Sequence, residues 1–214
     1  MRLVLPRLYV ILDAALLTAS ETDCAQRLAD VGVRLLQYRN KVASAGELLE
    51  SSKKLAGVLL PRGVSFVVND RADVAALAGA TGVHVGQEDL SVEDARRVVG
   101  AEKLVGVSTH NLGQFQQATA TSADYIAVGP IFATVSKANP DPVVGTELIR
   151  RVRMLTDKPI VAIGGITLGR AAATIEAGAD CVAVISDILS APDPGARARQ
   201  FIDLLGRANH SAAD

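Results

Sequence analysis

A single (β/α)8 barrel is the fold that this chain predicts, and three observations carry the prediction. Eight short β-rich runs recur along the 214 residues, at 8–13, 35–39, 65–69, 82–86, 104–108, 125–129, 160–164 and 181–186. Several are continuous Val/Ile/Leu runs rather than clean alternations, as parallel strands covered on both faces should be. Helix-like segments separate them, so strand and helix alternate along the chain. The barrel is expected over residues 1–208, with 209–214 a frayed tail. A doubly wound open sheet is the structural alternative; no Gly-x-Gly-x-x-Gly follows the first run, which weakens its dinucleotide-binding version.

Composition excludes several classes. Hydrophobic content of 49% and charged content of 21% are ordinary for a soluble globular domain. A net charge of −1 offers no basic field for nucleic acid or an anionic membrane. With no Trp, three Tyr and four Phe, the chain lacks base-stacking platforms. The apolar start MRLVLPRLYVILDAALL is interrupted by Pro6, Arg7 and Asp13, so neither a secretory signal nor a membrane span is expected. Cys24 and Cys181 have no metal or redox spacing and read as reduced, buried thiols, which suits a cytoplasmic location.

Taken in order, the runs end in polar groups. The second ends Gln37-Tyr-Arg39-Asn-Lys41, the third Asn69-Asp70, and the fourth Gln87-Glu88-Asp89. A helix start follows the fourth, with Ser91 as N-cap answered by Asp94. The fifth run ends Ser108-Thr109-His110. The sixth ends Gly129-Pro130 and feeds an irregular loop, 132–145, that carries Thr134, Ser136 and Lys137. The seventh ends Gly164-Gly165 before a helix that Gly178 stops, and the eighth ends Ser186-Asp187. Run starts are bland by contrast: Leu8, Leu35, Leu104, Ile160. A barrel carries its chemistry at the C-terminal ends of its strands, so the asymmetry predicts one polar site there.

Gln37, Arg39 and Lys41 share parity and project to one face, which suits an anionic, multi-oxygen ligand; alone, such a pattern is more often a solvated strand end. Asp70 and Asp89 at adjacent strand ends suggest Mg2+ shared with substrate phosphates, where two isolated aspartates would serve as caps or ion pairs. Gly164-Gly165 and Ser186 let backbone N–H groups approach a second anion, a monophosphate. No Cys-His or Ser-His-Asp spacing and no clear Schiff-base lysine is present, which favours a reaction driven by leaving-group stabilisation.

The ordered set QYRNK (37–41), VVND (67–70), GVHVGQEDL (82–90), GVSTH (106–110), ADYIAVGPIFAT (123–134), AIGGIT (162–167) and AGADCVAVIS (177–186) resembles the thiamine-phosphate synthase (thiamine-phosphate pyrophosphorylase) family. The likeness runs from about Leu8 to Ile188. It implies a Mg2+-dependent transferase that joins 4-amino-2-methyl-5-hydroxymethylpyrimidine diphosphate to a thiazole phosphate, giving thiamine phosphate and pyrophosphate. Carried over, Asp70 and Asp89 match metal ligands, and Gln37, Arg39, Lys41, Asn69, Ser108 and Lys137 match pyrimidine-diphosphate contacts. Among these, Arg39, Lys41, Ser108 and Lys137 are the expected catalytic groups. Thr134, Ser136, Gly165, Ile185 and Ser186 match the thiazole-phosphate side. Two departures stand out: Ser136 where the family loop usually has Thr, and Arg170 where it commonly has Asn.

Two other readings remain. A thiazole tautomerase on the same fold would use His110 as its acid/base, but that group generally lacks the acid at Asp89. A non-catalytic thiazole-phosphate binder would not need Asp70, Asp89 and Lys137 together. His84, between Val83 and Val85, reads as a hydrogen-bonded interior histidine rather than a general base. The partners expected are small-molecule substrates, with no nucleic acid and no membrane; a homo-oligomer is compatible with the sequence.

Overall fold

The computed structural model describes residues 3–134 and 141–207. Ser136, Lys137 and the tail from 208 onward lie outside them. Eight parallel strands close into a barrel: β1 (Leu8–Asp13), β2 (Leu35–Arg39), β3 (Ser65–Asn69), β4 (Gly82–Val85), β5 (Leu104–Thr109), β6 (Tyr125–Val128), β7 (Ile160–Ile163) and β8 (Cys181–Val184). Closure is made by β1 against β8, with Leu8 opposite Val182 and Val10 opposite Val184. The expected runs 82–86, 125–129, 160–164 and 181–186 each overshoot by one or two residues. Those extra positions are where the chain leaves the ladder for the mouth of the barrel.

The described α-helices are α1 (Glu21–Asp30), α2 (Ala45–Leu59), α3 (Ala72–Leu77), α4 (Val92–Val99), α5 (Leu112–Thr119), α6 (Gly145–Arg153), α7 (Leu168–Glu176), α8 (Ser186–Leu189) and α9 (Pro194–Arg207). Their starts follow from side-chain caps. Ser20, Ser44, Ser91 and Asn111 each accept the N–H of the third helical residue, and Ser44 with Glu47 forms a reciprocal capping box. Asp94 answers Ser91 as the spacing predicts, its N–H donating to Ser91 Oγ at 3.1 Å. Among the described residues, no helix is long and apolar enough to cross a membrane.

Strand parity divides the core in two. Val10, Leu12, Leu36, Tyr38, Phe66, Val68, Val83 and Val85 face outward and pack under the helices. Tyr9, Ile11, Leu35, Val67, Tyr125, Ala127, Val161, Cys181 and Ala183 fill the barrel. Gly106 belongs to this inner layer. A Cβ placed there would sit 2.1 Å from the Tyr125 ring, so the absent side chain is what admits the tyrosine.

The N-terminal ends of the strands are held by two matching clamps. Arg96 of α4 pairs with Asp124 at 2.5 Å, and Asp124 Oδ2 accepts the Val105 N–H at 2.7 Å. Arg153 of α6 pairs with Asp180 at 2.6 Å, and Asp180 Oδ2 accepts the Ile160 N–H at 2.8 Å. Each carboxylate ties a helix to the strand that follows it.

Candidate active site

The polar groups predicted at strand ends do gather at the C-terminal mouth. Arg39 leaves the end of β2 toward the inside and pairs with Asp13 at the end of β1. Asp13 is 3% exposed and also caps the short turn after β1, accepting the Ala15 N–H at 3.1 Å. The sequence reading passed over Asp13. Its signal was available, because it shares parity with Tyr9 and Ile11 and stands at a strand end like the other acids.

Lys41 lies two residues past β2 and reaches Asp70 across 2.5 Å. Asp70 follows β3 with φ 63, a left-handed conformation costing a non-glycine residue roughly 1–2 kcal/mol. Its N–H donates to the His84 carbonyl at 2.7 Å, which holds that backbone in place. The turn delivers the carboxylate to Lys41 and to Asp89. Burial pushes the Asp70 carboxyl above its ordinary range, Lys41 opposes this, and the hydrogen bond and charge of Asp89 push it up again. Asp89 is pinned by the Gly86 N–H, which donates to its Oδ2 at 2.8 Å. Glu88 is exposed.

These two carboxylates fit a small divalent cation. They are hard oxygen donors brought side by side, and Lys41 balances only one of their two negative charges. Among the described residues no group of three or more His, Cys, Asp or Glu is placed to hold a metal. The site would therefore rely on waters and ligand oxygens for its remaining coordination, as Mg2+ commonly does.

Asn69, at the end of β3, sits opposite His84. Gln37 is not in the mouth but at its floor, 2% exposed, and its Nε2 donates to Tyr9 Oη at 2.8 Å. The Tyr9 and Tyr125 hydroxyls lie 3.1 Å apart. Tyr125 Oη is 3.1 Å from His84 Nδ1, and His84 Nε2 is 2.8 Å from Ser108 Oγ. His84 is thus the hydrogen-bonded interior histidine expected, and burial pulls its pKa down to about 4. The tyrosines had no functional reading in the sequence.

Gln87, past β4, donates to the Ser108 carbonyl at 2.6 Å. His110 donates through Nδ1 to the Gly129 carbonyl at 2.7 Å, and its Nε2 faces Asp141 at 3.5 Å. It lines the base of the loop after β6.

On the far side of the ring, Gly164 and Gly165 follow β7 with φ 95 and 63. A Cβ on Gly165 would lie 2.4 Å from the Ala133 carbonyl, so the start of the 132–145 loop packs onto bare backbone. Arg170 fastens the same contact, donating to the Gly165 carbonyl at 2.8 Å with its guanidinium 4.6 Å over the Phe132 ring. Thr134 is half-buried beyond it, and Ile185 and Ser186 follow β8. Part of the expected anion site is already taken: Asp187 accepts the Leu168 N–H at 3.0 Å and pairs with Arg197 at 3.1 Å. The N-terminus of α7 thus carries a carboxylate of its own, which leaves the Gly-Gly turn and the Ile185–Ser186 backbone as the remaining anion cradle. A cleft of about 510 Å3 beside Ser186, walled by Asp193, Arg197 and Gln200, carries none of the groups on β2 to β5.

Residues 8–188 match a family model described as thiamine monophosphate synthase. A thiamine-phosphate synthase of Koribacter versatilis is 54% identical over 208 residues, covering 95% of this chain and 97% of that one. Another from Chloroflexus aurantiacus is 43% identical over 207 residues, covering 96% and 95%. A solved thiamine phosphate pyrophosphorylase from Pyrococcus furiosus superposes with a TM-score of 0.86 at 30% identity, covering 95% and 96%.

Proposed function

Because the chain belongs to the thiamine monophosphate synthase family, we propose that it condenses 4-amino-2-methyl-5-hydroxymethylpyrimidine diphosphate with a thiazole phosphate. Thiamine phosphate and pyrophosphate are the products. The observation that carries this reading is the cluster Arg39, Lys41, Asp70 and Asp89 on the ends of β2 to β4, set across the ring from the Gly164–Gly165 turn after β7. β3 and β7 are four strands apart in a ring of eight, so the two cradles stand on opposite sides of one mouth.

The pyrimidine methylene C–O bond breaks with its electron pair leaving on the diphosphate oxygen. The thiazole nitrogen then gives its lone pair to the methylene carbon, forming the C–N bond. No proton is transferred in either step, so neither step asks for a general base. Arg39 and Lys41 bind the diphosphate and meet the negative charge as it develops, with Lys137 assigned the same task from the loop. Asp70 and Asp89 would hold Mg2+, whose charge on the diphosphate oxygens favours their departure. Asn69, Gln37 and Ser108 orient the pyrimidine. Thr134, Ser136, Gly165, Ile185 and Ser186 seat the thiazole phosphate. The Asp89 carboxylate beside Asp70, and the engagement of His110 by Gly129, both support synthase over tautomerase.

The test is direct. Purified protein mixed with the two phosphorylated precursors should release one pyrophosphate per thiamine phosphate, and removal of Mg2+ by chelation should stop it. Turnover that persists in the chelated enzyme would sink the metal assignment.

A further inference from the structure

A row of hydrogen bonds crosses the inside of the barrel beneath the mouth, from Gln37 on β2 through Tyr9, Tyr125 and His84 to Ser108 on β5. We propose that this row is a positioning relay that sets the polarity of its two ends: Ser108 presents its hydroxyl proton to the ligand, and Gln37 presents its carbonyl oxygen. The proposal rests on the reading of Gln37 and Ser108 as pyrimidine contacts.

The direction follows from counting protons. Gln37 gives one N–H to Tyr9 Oη. Tyr9 then has one proton to pass on, to Tyr125 Oη at 3.1 Å. Tyr125 passes its own to His84 Nδ1, also at 3.1 Å. His84 therefore carries its proton on Nε2 and gives it to Ser108 Oγ at 2.8 Å. Every link is filled once. With Gln37 Nε2 turned to Tyr9, the opposite order would give Tyr9 two protons and leave its own hydroxyl no acceptor among the described hydrogen bonds, in a residue 1% exposed.

With Ser108 Oγ already accepting from His84, its remaining proton is free to be donated. Ser108 is half-exposed, whereas the four members behind it are buried. Two packing features lock the row: the His84 ring stacks on Tyr125 at 5.5 Å, and the absent side chain of Gly106 leaves the space that ring needs. His84 and the tyrosines act through Gln37 and Ser108 and are positioning residues.

Two measurements test this, one independent of activity. The chain has three histidines, so a long-range 1H–15N spectrum of histidine-labelled protein, assigned with His84→Gln, reads the His84 tautomer. A proton on Nε2 is expected; a proton on Nδ1 overturns the proposal. In the kinetic test, His84→Asn is too short to reach Ser108, and His84→Gln keeps an amide donor near the Nε2 position. His84→Asn and Ser108→Ala should each lower kcat about ten-fold, the size of one lost hydrogen bond. The double variant should fall no further than Ser108→Ala alone, His84→Gln should recover most of the loss, and pyrophosphate affinity should not move. Losses that multiply to about a hundred-fold, or a His84→Gln protein as impaired as His84→Asn, would reject the relay. Should His84→Asn fail to fold, Tyr125→Phe removes one hydroxyl at constant volume and should release the tautomer preference. A preference that stays intact in that variant counts against the relay. A wild-type protein that releases no pyrophosphate would reject the proposed reaction instead, while the spectrum still decides the relay.

Discussion

The two ends of this barrel carry the same kinds of ion pair and use them differently. At the N-terminal end, Arg96 and Arg153 are each held through both terminal guanidinium nitrogens by their own chain. Arg96 meets the carbonyls of Gly100, Lys103 and Ser122 besides Asp124, and Asp124 also accepts a strand N–H. Arg153 meets the carbonyls of Thr156 and Lys158 besides Asp180. At the C-terminal end, Lys41 is half exposed and spends one contact on Asp70, and Asp70 faces a like charge from Asp89 on a left-handed backbone. The lower pairs are charge-balanced, whereas Lys41 faces two carboxylates. A charge pair marks a ligand site when its geometry leaves charge unbalanced, and marks a structural clamp when its donors are held by the chain's own carbonyls and carboxylate.

Substitutions at the two ends should separate cleanly. Asp89→Ala should lower turnover by more than about a hundred-fold, the cost of losing a metal ligand if Asp89 is one as proposed, while the melting temperature stays near that of the parent. Turnover within a few-fold of the parent would break the contrast. At the other end, Arg153→Ala should cost about 2 kcal/mol in urea unfolding by removing the guanidinium's bonds to Asp180 and to two carbonyls, with kcat within two-fold. A fall in kcat that exceeds the fall in stability would place function at the wrong end.

Between the two lies the buried His84, which predicts a pH dependence. Its folded pKa, about 4, is below the ordinary value of 6.5, so the unfolded chain takes up a proton first as pH falls. The stability difference between the parent and His84→Gln should therefore shrink as pH drops from about 6.5 toward 4, by roughly 2 kcal/mol at pH 5. A flat difference would show that His84 is solvated. The smallest effect is expected for Arg170→Ala, which loosens Phe132 from the Gly165 turn. KM for the thiazole phosphate should rise a few-fold, in line with an exposed cation–π contact and one hydrogen bond.

Much of this was legible in the chain. The eight apolar runs located every strand, because a parallel strand buried on both faces has little choice of residue. Lys41, Asp70 and Asp89 were found because their polarity breaks abruptly from those runs. Asp13 was missed because its strand end holds one acid with no polar neighbour, and the meaning of that acid comes from Arg39, 26 residues later. Tyr9 and Tyr125 were missed because an inward tyrosine looks like core, and only the closed ring brings its hydroxyl to a partner 116 residues away. Asp187 was placed correctly at a strand end, yet nothing local to it said that its oxygen would occupy the start of α7 and not leave it to a ligand.

Gly106 gives the barrel floor an inheritance rule. The volume of the Tyr125 ring on one strand is borrowed from the missing side chain on its neighbour, so neither position can drift alone. An alanine at 106 would evict the ring and cut the row at its middle, while a small residue at 125 would open a void that water could enter from beneath the mouth. Variants with an altered choice of the proposed pyrimidine substrate should therefore be sought as paired exchanges at 106 and 125, in which a methyl gained on one strand is matched by atoms lost on the next.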